Sequence, residues 1–451
     1  MNLPMRLPIL LLVGASLLAT PTLPAAPNPA QTVPDQLDLP SALGFALENN
    51  FAIRQARERI RQQDGVVLEV RATEIPNVTG TGSYSRNDTG LSSSSFGASD
   101  RNWSYSVRAT QFLYTGGGTQ AAVKGQRLVR EAAVLALRAA IDDALLGVRT
   151  QFYTVLVDRE RISVQEQNIE LLKRQLQDVK NRYEAGTVSN FEVLRAEVAL
   201  ANAQPALIRA RNDYRTAIEQ LRFVLGFTNV SDSTLAKTPD FVGTLAFAPI
   251  AYDLKAALIS AREKRPDLER LRKLEEAADQ NVSARHANYY PNLAVFGSYD
   301  WRKSPSSNDF GDTLHGWTFG LQSTWNIFDG RATGGRVAQA RSLLEQARLF
   351  SGEAQLAIDV DVRRAVSAVQ EATELAEASK KVIEQAEESL RLANARFSAG
   401  SATQLDVFQS QLDLTTARLN QIQAYYSFNV AAAQLRKAMG LGDALVNAAG
   451  S

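Results

Sequence analysis

The 451-residue sequence has no cysteine, two histidines and three methionines. Without cysteine, disulfides, thiol chemistry and a lipidated N-terminal cysteine are excluded. His286 and His315 have no partner at metal-ligand spacing, which leaves little for metal or acid–base chemistry. Surplus charge is also missing: 49 Lys and Arg against 48 Asp and Glu leave +1, too little for a nucleic-acid footprint. No run of 18 apolar residues follows the first 20, so an ordinary transmembrane helix is unavailable. Eight of the 15 prolines precede residue 41. The stretches 119–184 and 334–398 contain none. Gly116-Gly117-Gly118 with Lys124 lacks the Gly-Lys-Ser/Thr ending of a phosphate loop and reads as a strand-to-helix turn. Dense carboxylates such as Glu387-Glu388 read as a solvated helix face. No catalytic constellation emerges, so no enzyme activity and no cofactor is expected.

What is present is written twice. Tyr183-Glu184-Ala185-Gly186-Thr187 returns as Phe397-Ser398-Ala399-Gly400-Ser401, an offset of 397 − 183 = 214. Trp103 and Trp317 share that offset, and Gly82-Ser83-Tyr84 returns as Gly297-Ser298-Tyr299, shifted by 215. Residues 1–26, with Arg6 ahead of an apolar stretch and small residues at Ala25-Ala26, read as a secretory signal. A Pro-rich lead-in covers 27–40. The first repeat spans 41–226: a helical piece, strands at 77–86 and 103–113, a long helix at 119–184 and a return helix at 188–226. A linker at 227–250 precedes the second repeat at 251–440, with strands at 292–302 and 317–328, a long helix at 334–398 and a return helix at 402–440. A tail at 441–451 completes the chain.

Strands of ten to twelve residues have the length needed to cross a bilayer at a tilt. Side chains alternate faces, so Trp103, Tyr105, Val107 and Ala109 share one face while Ser104, Ser106, Arg108 and Thr110 share the other. Trp317, Phe319, Leu321, Trp325 and Ile327 repeat the apolar face. All four tryptophans, Trp103, Trp301, Trp317 and Trp325, fall in these strands, and with Tyr105 they form a candidate membrane aromatic girdle. Arg108 takes the polar face, where it escapes a cost of about 2–4 kcal/mol for arginine in lipid at the midplane. Phe296 is the exception, an aromatic on the polar face. Four strands cannot close a barrel, and lipid tolerates no open edge, so copies must share one: two copies give eight strands, three give twelve.

Each long helix covers about 65 residues, roughly 98 Å at 1.5 Å per residue. Apolar residues recur every seven: Val134, Ile141, Val148, Val155, Ile162, Ile169, Leu176 and Tyr183, then Val362, Val369, Ala376, Ile383, Leu390 and Phe397. A strict heptad predicts a left-handed supercoil. Glycine past each helix end reverses the chain. Ser189 with Glu192, and Thr403 with Asp406, read as capping boxes. Pro205 predicts a kink in the first return helix.

The tandem repeat, the Tyr/Phe-x-Ala-Gly-Thr/Ser hairpins, the Pro76-Asn77 and Pro291-Asn292 openings and the Leu-Gly helix ends together resemble the TolC-type outer-membrane efflux proteins over residues 38–445. The resemblance implies a mainly α fold with membrane β: a homotrimer whose 12-stranded β-barrel is continued by a 12-helix α-barrel in the periplasm. It implies an exit duct for efflux or secretion, set in outer-membrane lipid and working with a periplasmic adaptor (membrane fusion) protein and an inner-membrane pump. The hairpin residues Ala185, Gly186, Thr187, Ala399, Gly400 and Ser401 match the family's adaptor-facing tips. Asp406 matches an aspartate facing the tunnel axis, with Gln409 where family members carry a second aspartate and Glu192 as its counterpart in the first repeat. Phe397 and Ala402 replace a tyrosine and an arginine that latch the tip, so a tight latch does not carry over. The alternative is a periplasmic coiled-coil scaffold or adaptor without a pore, which explains the heptads but not the tryptophan-rich strands.

Overall fold

The computed structural model describes residues 36–88, 101–227, 239–304 and 309–443. The expected signal segment, most of the lead-in, and parts of the linker, the tail and the two strand-connecting loops lie outside the described residues. Two short strands, β1 (Gln36–Leu37) and β4 (Asp240–Phe241), pair in parallel. The first repeat comprises α1 (Leu39–Asn49), α2 (Phe51–Arg71), β2 (Asn77–Arg86), β3 (Arg101–Tyr114), α3 (Gly118–Glu184) and α4 (Asn190–Leu225). The second comprises α5 (Leu254–Lys264), α6 (Pro266–His286), β5 (Asn292–Lys303), β6 (Thr313–Thr324), α7 (Ala332–Ser398) and α8 (Gln404–Ala438).

The helical piece ahead of each strand pair is broken in two, and local chemistry explains both breaks. Asn50 leaves helical geometry, and its side-chain oxygen accepts from the Ala52 and Ile53 amides at 2.9 and 3.3 Å. It thereby caps α2, while its Nδ2 donates to the Val224 carbonyl at 2.7 Å. In the second repeat Pro266 opens α6. A residue before proline is driven out of helical geometry, and Arg265 takes ψ 121°.

α3 and α7 each run unbroken for 67 residues. Toward the sheet, α2 and α6 pack on α3, and α6 also packs on α7; farther along, α4 and α8 take their places. Any cross-section of one copy therefore cuts about four helices. Within the heptad rows Val148, Val155 and Ile169 are buried, as are Val362, Val369, Ala376 and Leu390. α4 continues through Pro205, whose missing amide leaves the Ala201 carbonyl without its helical donor. The interface of α3 with α8 carries a polar ladder: Thr154 with Tyr426 at 3.2 Å, Arg161 with Gln423 at 2.6 Å, Asn168 with Gln411 at 2.9 Å and Gln167 with Arg418 at 3.1 Å.

The largest apolar cluster girdles the middle of the helices. There Leu37, Leu43, Phe241, Ile218 and Leu221 pack around Leu145, Val148 and Phe152 of α3. Fully burying one such side chain contributes about 1.5–3 kcal/mol. Arg149 joins Asp443 at 2.7 and 2.9 Å, fastening the start of the tail to this belt.

The four longer strands form one antiparallel sheet in the order β2-β3-β5-β6. β6 starts four residues before the predicted 317 and ends four before 328. Thr313 and Leu314 join the ladder opposite Lys303 and Arg302. The far end leaves it where the Trp325 indole donates to the Tyr289 carbonyl at 3.0 Å. Trp325 and Ile327 are therefore beyond the strand.

Candidate functional site

Register decides which strand residues share a surface. One face carries the rows Tyr84–Trp103, Tyr105–Trp301–His315, Val107–Tyr299–Trp317 and Ala109–Gly297–Phe319. Trp317, Phe319 and Leu321 are 79%, 70% and 64% exposed, an apolar band of the kind that marks a lipid or protein contact. Trp103 packs edge-on against Trp301, with centroids 5.9 Å apart. Below the strands Trp325, Ile327 and Phe328 extend the apolar surface.

The opposite face is hydroxyl-rich. Ser83 and Ser104 bond side chain to side chain at 2.8 Å. Arg108 lies opposite Ser298, and Thr110 opposite Phe296, which faces Gly320 in turn. Phe296 is accommodated because it lies over that glycine: a Cβ there would come within 2.9 Å of its ring. The Arg108 guanidinium also lies over this ring, 4.1 Å from its centroid. The aromatic thus supports a cation on the polar face.

At the far end of the long helices both hairpins use the same reversal. The Gly186 and Thr187 amides donate to the Tyr183 and Arg182 carbonyls, both at 2.9 Å; Gly400 and Ser401 repeat this with Phe397 and Arg396 at 3.1 and 2.8 Å. Both glycines take left-handed backbone, φ 72° and 73°, as this double-bonded helix ending requires. Ala185 and Ala399 are the last-turn residues before them, and all these tip residues are exposed.

The two caps that follow differ. Thr403 and Asp406 form a complete capping box: the Thr403 amide donates to Asp406 Oδ2 at 2.8 Å. That backbone bond, with the Thr403 hydroxyl, holds the Asp406 carboxyl below its ordinary range. Ser189 and Glu192 do not form the predicted box, and no side chain caps α4. Glu192 turns instead to Arg195 at 3.4 Å, whose guanidinium lies 4.7 Å from the Phe191 ring. Gln409 donates to Asp413 at 2.9 Å along α8.

Sequence reasoning missed one contact near the tip. The Arg182 guanidinium sits 4.9 Å from the Phe397 ring centroid, joining the end of α3 to the end of α7. Phe397 is thus held by a cation, although it lacks a hydroxyl. Nothing in the spacing of 182 and 397 signals this, because the contact is tertiary.

Residues 42–227 and 257–441 match the family described as outer membrane efflux protein. Protein CyaE of Bordetella pertussis is 26% identical over 88% of this chain and 82% of its own length. Outer membrane efflux protein BepC of Brucella suis is 25% identical over 89% of this chain and 85% of its own. The fold is similar to the crystal structure of the Campylobacter jejuni CmeC outer membrane channel, with a TM-score of 0.77 at 15% identity, covering 91% of this chain and 88% of that one.

Proposed function

This chain belongs to the outer membrane efflux protein family, and we propose that three copies of it form one closed exit duct. Family members are outer-membrane channels for efflux or secretion with a long periplasmic helical extension, and so is this protein. The observation that carries a barrel shared between copies is the sheet, and the trimeric channels of the family supply the number three. It has four strands, its edges β2 and β6 have no partner among the described residues, and one face is a band of exposed aromatics. Lipid admits such a sheet only when its edges are closed. Three copies give twelve strands, and four helices per cross-section give a matching tube of twelve. The heptad residues left half-exposed in one copy, Val134, Ile141 and Ile162, are available to neighbouring helices of that tube.

Cargo enters from an inner-membrane pump through a periplasmic adaptor that grips the hairpin tips at Ala185, Gly186, Thr187, Ala399, Gly400 and Ser401. The pump supplies the energy. At the tip Asp406 faces the axis, flanked by Gln409 and Glu192, and three copies make a cation-attracting ring.

Planar-bilayer recording tests this assignment. Wild-type trimers should conduct, and divalent cations added at the helical end should block them. Asp406→Asn should relieve the block. Unchanged block would remove Asp406 from the aperture. The lowered Asp406 carboxyl also sets the sign of a pH effect. A depressed carboxylate contributes to stability above its unfolded range, and that contribution is lost as pH falls through the folded value. Block and cap should therefore persist down to about pH 5 and fail only in stronger acid.

A further inference from the structure

On the polar face of the sheet, the described strands carry three ionisable residues: Arg108, Asp300 and Arg302. Asp300 lies between the two arginines, diagonal to Arg108 across the ladder and two positions from Arg302 on β5. Asp300 accepts from the Ser298 hydroxyl at 2.9 Å and lies opposite Ser106, so hydroxyls satisfy it. The Arg108 guanidinium lies over the Phe296 ring, 4.1 Å from its centroid. Arg302 stands four positions past Ser298 on β5, about 13 Å farther along the strand. Among the described residues no carboxylate forms an ion pair with either guanidinium. A guanidinium stacked on a ring keeps its in-plane N–H donors free for an anion. Two arginines against one aspartate leave one positive charge per copy on this face.

We propose that Arg108, positioned by Phe296 and backed by Arg302, makes the barrel interior selective for anions, so that the preferred cargo carries carboxylate, phosphate or sulfate groups. This rests on the duct reading above, which puts the polar face around the lumen. The aperture acidic ring and the barrel basic ring then act at opposite ends of one path: the first repels anions until the tip opens, and the second draws them outward.

The test is current block by a polyanion, inositol hexakisphosphate, added in turn to each side of a bilayer holding full-length trimers. Wild type should be blocked from the barrel side far more readily than from the helical side. Arg108→Ser should weaken barrel-side block by about tenfold or more, the loss of one charge-assisted contact per copy. Arg108→Lys keeps the charge and should retain most of the block. Phe296→Leu keeps the arginine but frees it, and should give an intermediate loss. Trimers that conduct normally but show no barrel-side block, or Arg108→Ser channels blocked as well as wild type, would overturn the proposal and leave the duct reading standing. Wild-type trimers that form no channel would overturn both.

Discussion

Gly226→Val should abolish heat-resistant trimers, whereas Gly186→Val should leave them intact. Both glycines hold left-handed backbone, φ 81° and 72°, which costs an L-residue about 1–2 kcal/mol by itself. The difference lies in space. A Cβ on Gly226 would stand 2.4 Å from the Asn49 carbonyl oxygen and 2.9 Å from its carbon. Those are backbone atoms at the break between α1 and α2, where Asn50 is already tied to Val224, so they cannot move aside without undoing the cap. Strain and clash together should exceed about 3 kcal/mol. Gly440 meets the Lys264–Arg265 backbone in the same way, at 2.8 Å, and its replacement should behave alike. At Gly186 and Gly400 nothing lies within 4 Å of the added carbon. Valine at either tip should cost only the backbone strain and disturb docking: trimers on unheated gels, but no export from cells holding only the variant. Stable Gly226→Val trimers would show that the junction yields more than this packing allows.

The second large effect comes from moving a charge by one residue. Arg108 is tolerated on the polar face. Val107→Arg places the same side chain among Tyr299 and Trp317, at the middle of β3. If that face meets lipid, the cost is about 2–4 kcal/mol, read as a lower urea midpoint for folding into vesicles and as less protein in the outer membrane. Thr318→Arg, on the polar face opposite Ser298, is the control and should be nearly neutral. Equal effects from both would mean that the sheet does not separate lipid from water.

Much of this was legible in the chain because simple periods govern it. Alternation by two along Trp103–Thr110 assigns faces that the register reproduces, and the sevenfold spacing of Val148, Val155 and Ile169 marks residues that are buried. Paired glycines 214 residues apart mark reversals with matching φ. What escaped depends on partners distant in sequence. Asn50 breaks a helix because Val224 offers it a carbonyl. Phe296 looked misplaced until Gly320 and Arg108 were seen beside it. Ser189 fits the same capping pattern as Thr403, yet Glu192 prefers Arg195. The ends of β6 shifted because ladder partners on β5, rather than aromatic alternation, set strand limits. The proposed aperture was the least legible part, since its geometry would be shared between copies and one sequence describes only one.

The direct measurement is disulfide trapping across the two sheet edges, for which a cysteine-free chain is a clean background. Within one copy β2 and β6 are separated by two strands, about 14 Å at 4.8 Å per step, beyond the roughly 7 Å a disulfide can span. Double variants should pair one cysteine among Thr79, Thr81 and Ser83 with one at Thr318 or Gln322. On oxidation in intact outer membranes, at least one register should yield covalent dimers and trimers. If every register leaves monomers, or gives only bonds within a copy, the sheet edges do not join between copies and no shared barrel exists.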